Sequence, residues 1–319
     1  MKAPHAISAA GALAHARVNW GARWRLMRRY KLIYLLLLPA AAYFVLFQYG
    51  PMYGIQIAFK DFKLLKGIWA SEWVGFEHFV AMFGAPRFWQ VLRNTVVISV
   101  LKLLFGFPAP ILFAIMLNEL IGVRFKKSVQ TISYLPHFIS WVVLAGIVYE
   151  VLSPSLGIVN QVIEATGGRP HNFMADSDWF VAVVVISYVW QTFGWGSIIY
   201  LAALAGIDPQ LYEAAQIDGA SRLQRTMRIT IPSLYPVMVI VFLLRVGNLL
   251  EVGFDQIFNL QNPTIYDTGD IIETYTYRKG IIQQDWSYAA AVGLFNNTVG
   301  LILLLVVNRF TRVAREFGF

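Results

Sequence analysis

The chain of 319 residues contains no cysteine. That removes disulfide scaffolds, thiol nucleophiles, Cys-ligated zinc and iron–sulfur clusters. Charge is scarce as well. Only 14 % of residues are Asp, Glu, Lys or Arg, where a water-soluble domain carries about a quarter. With 57 % hydrophobic residues, such a chain cannot clothe itself in polar side chains, and composition excludes both a soluble enzyme and a disordered protein. The histidines His5, His15, His78, His137 and His171 are scattered, and none falls in an HExxH or other metal-binding spacing. Neither GxSxG nor the phosphate loop GxxxxGK(S/T) occurs, and the dipeptide Gly-Lys is absent altogether. Any work this chain does with ATP requires another chain to bind the nucleotide.

Long apolar runs are what the sequence has in excess. A helix needs about 20 mostly apolar residues to cross the hydrocarbon. Six runs qualify: 32–48, 91–120 (interrupted at Pro108 and Pro110), 129–152, 179–204, 232–254 and 288–307. The reading is an all-α integral membrane protein with six transmembrane helices. Its organisation is a tail over 1–31, a membrane domain over 32–307 and a second tail over 308–319. Ala40-Ala41-Ala42 gives the first run a resemblance to a signal peptide, but apolar residues continue to Phe47, so it reads as an uncleaved anchor.

The formal charge of +8 acquires meaning once it is placed along this topology. Arg17, Arg23, Arg25, Arg28, Arg29 and Lys31 precede the first run. Arg124, Lys126 and Lys127 follow the second, Arg222, Arg225 and Arg228 follow the fourth, and Arg309, Arg312 and Arg315 follow the sixth. These segments fall on one side, so the positive-inside rule places both termini in the cytoplasm. The basic balance is a topology signal, and no nucleic-acid partner is expected.

The most informative loop is 205–231, after the fourth run. Asp208 is placed to N-cap a helix with Pro209 at its first position. Gly219 can supply a left-handed stop. The helix between them has about two turns, too few to be stable alone in water, so it must be pinned between its flanking spans or docked on a partner. Ala214 and Ala215 give it a low profile, and Glu213 adds one charge. A second amphipathic helix is expected after it, with Arg222, Arg225 and Arg228 on a basic flank, ending before Pro232. Those arginines are equally well read as ordinary positive-inside residues.

The pattern Glu213-Ala214-Ala215-x-x-x-Gly219, nine residues, then Ile229-x-Ile231-Pro232 resembles the signature loop of ABC importer permeases, with Ile231 in place of Leu as the one departure. The resemblance implies that 208–219 is a coupling helix seated in a cleft of an ATP-hydrolysing subunit. It assigns coupling roles to Asp208, Glu213, Ala214, Ala215 and Gly219, with Arg222 and Arg225 beside them. Trp190-Gln191-Thr192-Phe193-Gly194 with Leu201-Ala202-Ala203-Leu204 is similar to the carbohydrate-uptake branch, whose type is the maltose importer. The stretch Tyr49-Gly50-Pro51-Met52-Tyr53-Gly54, with Ala58-Phe59-Lys60-Asp61 and Ser71-Glu72-Trp73-Val74-Gly75, is similar to its complex-polysaccharide subgroup, which includes an alginate importer. The residues themselves leave the glycan open. Family resemblance further implies a second, different permease subunit, a pair of ATP-binding subunits carrying ATP and Mg, and an extracytoplasmic solute-binding protein. That last partner would be received by the loops 49–90, 166–178 and 259–286. No cofactor is expected on this chain.

Candidate substrate-pathway residues are polar groups within the spans. Arg245, Asn248, Glu251 and Asp255 would share an arc about 120° wide on a continuous fifth helix. Charges at that depth face protein or water rather than lipid. A structural ion pair between Arg245 and Glu251 is the alternative reading. Tyr188, Gln191 and Trp195 share a face of the fourth span and offer an amide with aromatic rings, which suits a sugar as well as it suits core packing. Lys102 is the other basic residue inside a span, and a uronate chain would need such partners for its carboxylates. Asn296 and Asn297 are weaker candidates. An ion-coupled secondary transporter or channel is the competing function, but it leaves the 208–219 helix without a purpose. An intramembrane enzyme is disfavoured, since Glu119, Glu150 and Glu251 lie on separate spans with no motif.

Overall fold

The computed structural model describes residues 29–316. The chain divides into two units, Met1–Ile55 and Gln56–Phe319. The arginine-rich start, 1–28, and the last three residues lie outside the described region, and with them most of the predicted N-terminal tail. In the first unit, α1 (Lys31–Tyr43) continues as a π-helical turn, Phe44–Tyr49. Beyond Lys31 its side chains are apolar or tyrosine and none in α1 is buried, as a lipid-facing helix requires.

The second unit carries the other spans. Helix α2 (Pro86–Gly106) and α3 (Pro108–Glu119) follow one another with only Phe107 between them. Pro108, lacking an N–H, sits at the first position of α3, where none is needed. Next come α4 (Val123–Tyr134) and α5 (Trp141–Leu152). The 29-residue helix α6 (Ser177–Ala205) leads into the short α7 (Pro209–Ile217). Helix α8 (Ile231–Gly247), α9 (Phe254–Leu260) and α10 (Trp286–Glu316) complete the order. Among the described residues, five helical stretches are long and apolar enough to cross a membrane, and one bent pair makes a sixth if it is counted as one span.

Three expectations are corrected. The third span is two helical stretches bent by 105° between Phe138 and Trp141. Pro136 lies in a 3-10 turn there, and Ser140 is extended, so the α ladder cannot run through. The fifth span starts earlier and stops earlier than predicted. Arg222–Arg225 forms a helical turn that passes through a π-helical stretch, Thr226–Thr230, straight into α8. No separate amphipathic helix ends before Pro232, because Pro232 occupies the tolerated first turn of α8. At the other end α8 finishes at Gly247, not near residue 254. The sixth helix runs on to Glu316, past its predicted end.

Helix α6 is the spine. Its buried residues Phe180, Val184, Ser187, Gln191, Gly194, Ser197, Tyr200 and Leu204 recur every three or four positions, a stripe at the helical period. Between membrane helices, packing relies on small residues that let backbones approach closely. Gly194 shows this: a Cβ there would lie 2.0 Å from the Ser133 carbonyl oxygen of α4. Around α6 lie two apolar clusters, one with Phe180, Ile257 and Ile265, the other with Ala114, Tyr200 and Leu234.

Hydrogen bonds assign the ends of the spans. Ser177, at the start of α6, donates to Asp267 (2.9 Å), and Arg87, in the first turn of α2, meets Asp270 (3.0 Å). The segment 266–278 and the start of α10 therefore sit at one end. Helix α7, reached after the whole length of α6, sits at the opposite end.

Candidate functional site

The 205–231 loop is built as its residues require. The Asp208 side chain accepts the N–H of Gln210 (3.0 Å), and Pro209 opens α7. Gly219 adopts φ +77°, a left-handed conformation that glycine takes without the Cβ penalty. The N–H of Ala220 then reaches the Ala215 carbonyl at 2.9 Å, closing the helix end. Ser221 and Gln224 form a reciprocal capping box that starts the next helix; its S-x-x-Q spacing was legible but had not been singled out. Two tethers hold the short helix against the following segment. The Tyr212 and Thr230 hydroxyls lie 3.0 Å apart, and Arg225 donates to Gln216 at 3.5 Å. Arg225 thus serves the loop itself, while Arg222 stays exposed.

The outward face of α7 is left unused by this chain. Leu211 and Ile217 are exposed, Ile217 at 86 %. Glu213 and Ala214 are exposed beside them, and Glu213 has no hydrogen bond or ion pair among the described residues. An apolar, singly charged ridge on a two-turn helix projects from the membrane end of α6 and α8.

The second locus is a cavity of about 270 Å³ at the break where α8 ends. Lys102, Tyr188, Arg245, Asn248 and Glu251 all line it, with Ser99 and Val252. Lys102 is buried and donates to the Val252 carbonyl (2.7 Å) and to Oε1 of Gln256. Its ammonium also lies 4.8 Å from the centre of the Tyr188 ring, a cation–π arrangement. Arg245 donates to the Tyr188 hydroxyl at 3.1 Å. The hydrogen-bond partners of both cations are neutral, and Glu273 acts on Lys102 through its charge without forming an ion pair.

The ion pair of Arg245 with Glu251, the alternative reading, is absent among the described residues. Asn248 caps α8, so Glu251 lies in the loop beyond it, and the helical-wheel arithmetic fails from that residue onward. Asp255 falls in the first turn of α9 instead. A smaller adjoining cavity of about 160 Å³ shares Asn248 and Glu251 and adds Asn296 and Asn297 from α10.

Gln191 and Trp195 do not join Tyr188. The Trp195 indole stacks on the His137 imidazole, 4.9 Å between centroids and 5° between planes. Gln191 donates to the Ile139 carbonyl at 3.4 Å. Both serve the bend between α4 and α5. Tyr188 diverges from them because α6 buries its neighbours against different helices.

Sequence reasoning missed two features. Gln256 completes the Lys102 network by donating to the Val184 carbonyl (2.8 Å) and the Ser187 hydroxyl (2.9 Å). An amide in the otherwise apolar Gln256-Ile257-Phe258 run was its one signal. Asp270 is fully buried and paired with both Arg87 and Arg278. Asn94 binds the same segment through the Asp267 and Asp270 carbonyls (2.9 and 3.2 Å). Nothing local marks Asp270, since its partners come from α2 and from the next turn. Near the cavity, Glu273 accepts the Gly253 N–H at 3.2 Å. Burial holds its carboxyl above the usual range, and Glu251 and Asp255 push it the same way.

Residues 106–313 match the family described as binding-protein-dependent transport system inner membrane component. Among curated proteins, the polygalacturonan/rhamnogalacturonan transport system permease protein YteP of Bacillus subtilis (strain 168) is 44 % identical over 288 residues, covering 90 % of this chain and 89 % of that one. Among solved structures, a chain of a bacterial ABC transporter involved in the import of the acidic polysaccharide alginate superposes with a TM-score of 0.85 at 43 % identity, covering 91 % of this chain and 98 % of that one. A second structure, the alginate transporter in complex with an alginate pentasaccharide-bound periplasmic protein, matches with the same TM-score and identity, covering 91 % and 97 %.

Proposed function

Because the chain belongs to the family of inner membrane components of binding-protein-dependent transport systems, we propose that it is one permease half of an ATP-driven importer whose cargo is an acidic oligo- or polysaccharide. The observation that carries the cargo class is the cavity at the end of α8. Two cations, Lys102 and Arg245, line it, and neither has a carboxylate within ion-pair distance among the described residues. A uronate carboxylate would supply the missing partner, and Arg245, half-buried with most of its donors unused, is suited to hold one. Asn248, Asn296 and Asn297 offer amides for sugar hydroxyls along the adjoining cavity. The similarity to importers of polygalacturonan and of alginate, both uronate polymers, supports the same class.

In this reading both termini are cytoplasmic and α7 is the coupling element. Its exposed ridge docks on a separate ATP-binding subunit, which holds ATP and Mg. Closing a pair of such subunits carries α7, and with it the attached ends of α6 and α8. Because those helices are packed on α3 and α2, they shift between two packed arrangements rather than bending continuously. A second, different permease subunit completes the passage, and an extracytoplasmic binding protein delivers the cargo at the Arg87 end.

Reconstituted with those partners in proteoliposomes, the transporter should take up a galacturonate or mannuronate tetramer when ATP is present on the α7 side. The same oligosaccharide with its carboxylates reduced to alcohols should be taken up poorly. Equal uptake of both would refute the acidic-cargo reading. Uptake driven by an ion gradient, with no ATP-binding subunit present, would refute the importer mechanism as a whole.

A further inference from the structure

At the Arg87 end the chain makes a small hairpin, β1 (Lys60–Asp61) paired antiparallel with β2 (Glu72–Trp73). A two-stranded hairpin is marginal alone in water, and this one is fastened on every side. Inside it, Lys60 donates to the Ile68 carbonyl (2.7 Å) and lies 4.7 Å from the Trp73 ring centre. The Ser71 hydroxyl donates to the Gly67 carbonyl (2.6 Å) and accepts the Lys63 N–H (3.1 Å). Its base is bolted to the first turn of α10: the Ser287 hydroxyl donates to the Lys60 carbonyl (2.6 Å) and accepts the Phe62 N–H (3.0 Å).

The tip of this stiff element is apolar and bare. Leu64 is 72 % exposed and Leu65 102 %, and the Trp69 and Trp73 rings are mostly exposed. Of the two lysines in the tip, Lys63 is paired with Asp61 at its base (3.2 Å), while Lys66 is exposed with no ion pair among the described residues. The attachment point supplies the explanation. Ser287 stands at the start of the sixth span, where the hydrocarbon begins. Leu65 is three residues beyond Phe62 in a turn closed by the Lys66 N–H on the Lys63 carbonyl (2.9 Å), so it stays within about 10 Å of that anchor, a span comparable with a headgroup layer of about 5–8 Å. Leucine with tryptophan and lysine is the composition of an interfacial anchor, with apolar side chains dipping in and ammonium groups at the phosphates.

We propose that the 62–70 tip inserts Leu64 and Leu65 into the bilayer interface on the side opposite α7, with Lys66 against anionic phospholipid headgroups. The hairpin then fixes the depth of the start of α10. This inference needs only the membrane setting and is independent of the cargo. The absence of cysteine makes the test direct. Leu65→Cys, labelled with a nitrobenzoxadiazole fluorophore, is incorporated in the complete transporter with cysteine-free partners, in phosphatidylethanolamine–phosphatidylglycerol vesicles. Glu164→Cys, on an exposed helix at the same end, carries the same label as the aqueous control. Lipid bearing a nitroxide at carbon 5 should quench the label at 65 several-fold more than iodide does, and the order should reverse at 164. Replacing phosphatidylglycerol with phosphatidylcholine should reduce the lipid quenching at 65. The proposal is overturned if iodide quenches both positions alike. It is also overturned if docking of the binding protein removes the lipid quenching, or if position 65 is shielded from both quenchers by a neighbouring subunit.

Discussion

Arg245→Gln separates a cargo contact from a structural one. Among the described residues the Arg245 side chain makes one hydrogen bond, to the neutral Tyr188 hydroxyl at 3.1 Å, and it is half-buried. Losing that bond costs about 0.5–1.5 kcal/mol of stability, and glutamine can recover part of it. A hydrogen bond to a cargo carboxylate is charge-assisted and contributes about 1.5–3 kcal/mol. At 1.4 kcal/mol per tenfold, this is roughly a 10- to 150-fold loss for an acidic cargo. The variant should therefore melt within a few degrees of the native protein. Its ATP-driven uptake of a uronate tetramer should fall at least tenfold, and residual uptake of the carboxyl-reduced tetramer should be unchanged. Lys102→Gln provides the contrast. Lys102 is buried and holds both Val252 and Gln256, so its loss strands two acceptors at about 1–3 kcal/mol each. It should lower thermal stability and depress uptake of both cargoes. If Arg245→Gln reduces both cargoes equally, or neither, the cavity is not where the carboxylate is recognised.

The coupling ridge can be tested at Glu213, whose side chain has no hydrogen bond or ion pair among the described residues. Glu213→Ala should leave the melting temperature unchanged and strongly reduce cargo uptake per ATP hydrolysed; native coupling in proteoliposomes would count against α7 as the lever. Gly219→Ala meets no atom within 4 Å but keeps φ at +77°, so it should cost only the left-handed backbone term, about 1–2 kcal/mol, read as a modest drop in Tm. Gly194→Ala must part α6 from α4, because its Cβ would fall 2.0 Å from a backbone oxygen. A loss of about 1–3 kcal/mol or more is expected, and an unchanged melt of the purified complex would contradict the close approach. Glu273 is held above the ordinary carboxylate range by burial. Its contribution to stability is therefore full at low pH and lost as pH rises from about 4.3 to the raised value. Glu273→Gln should gain stability relative to the native protein over that window and match it below. Melting curves that run parallel at every pH would refute this.

How much was legible in advance depended on whether the signal was local. The short α7 could be read from Asp208, Pro209 and Gly219, because a cap, a first-turn proline and a left-handed stop each act within a few residues. The same holds for the apolar runs, since the length needed to cross a bilayer is a property of a single segment. Periodicity could not reveal that α8 stops at Gly247 or that the third span bends by 105°, because apolar residues such as Leu249, Leu250, Phe138 and Ile139 continue among the polar ones at both breaks. Which polar side chains meet was likewise outside its reach. Lys102, Gln256 and Ser187 come from three segments, and Arg87 and Asp270 are 183 positions apart. Tyr188 joined Arg245 while Gln191 and Trp195, on the same predicted face, turned to the bend at Ile139. A buried polar group must find a partner, but the sequence alone does not say from which segment. Only packing the helices against α6 made that choice.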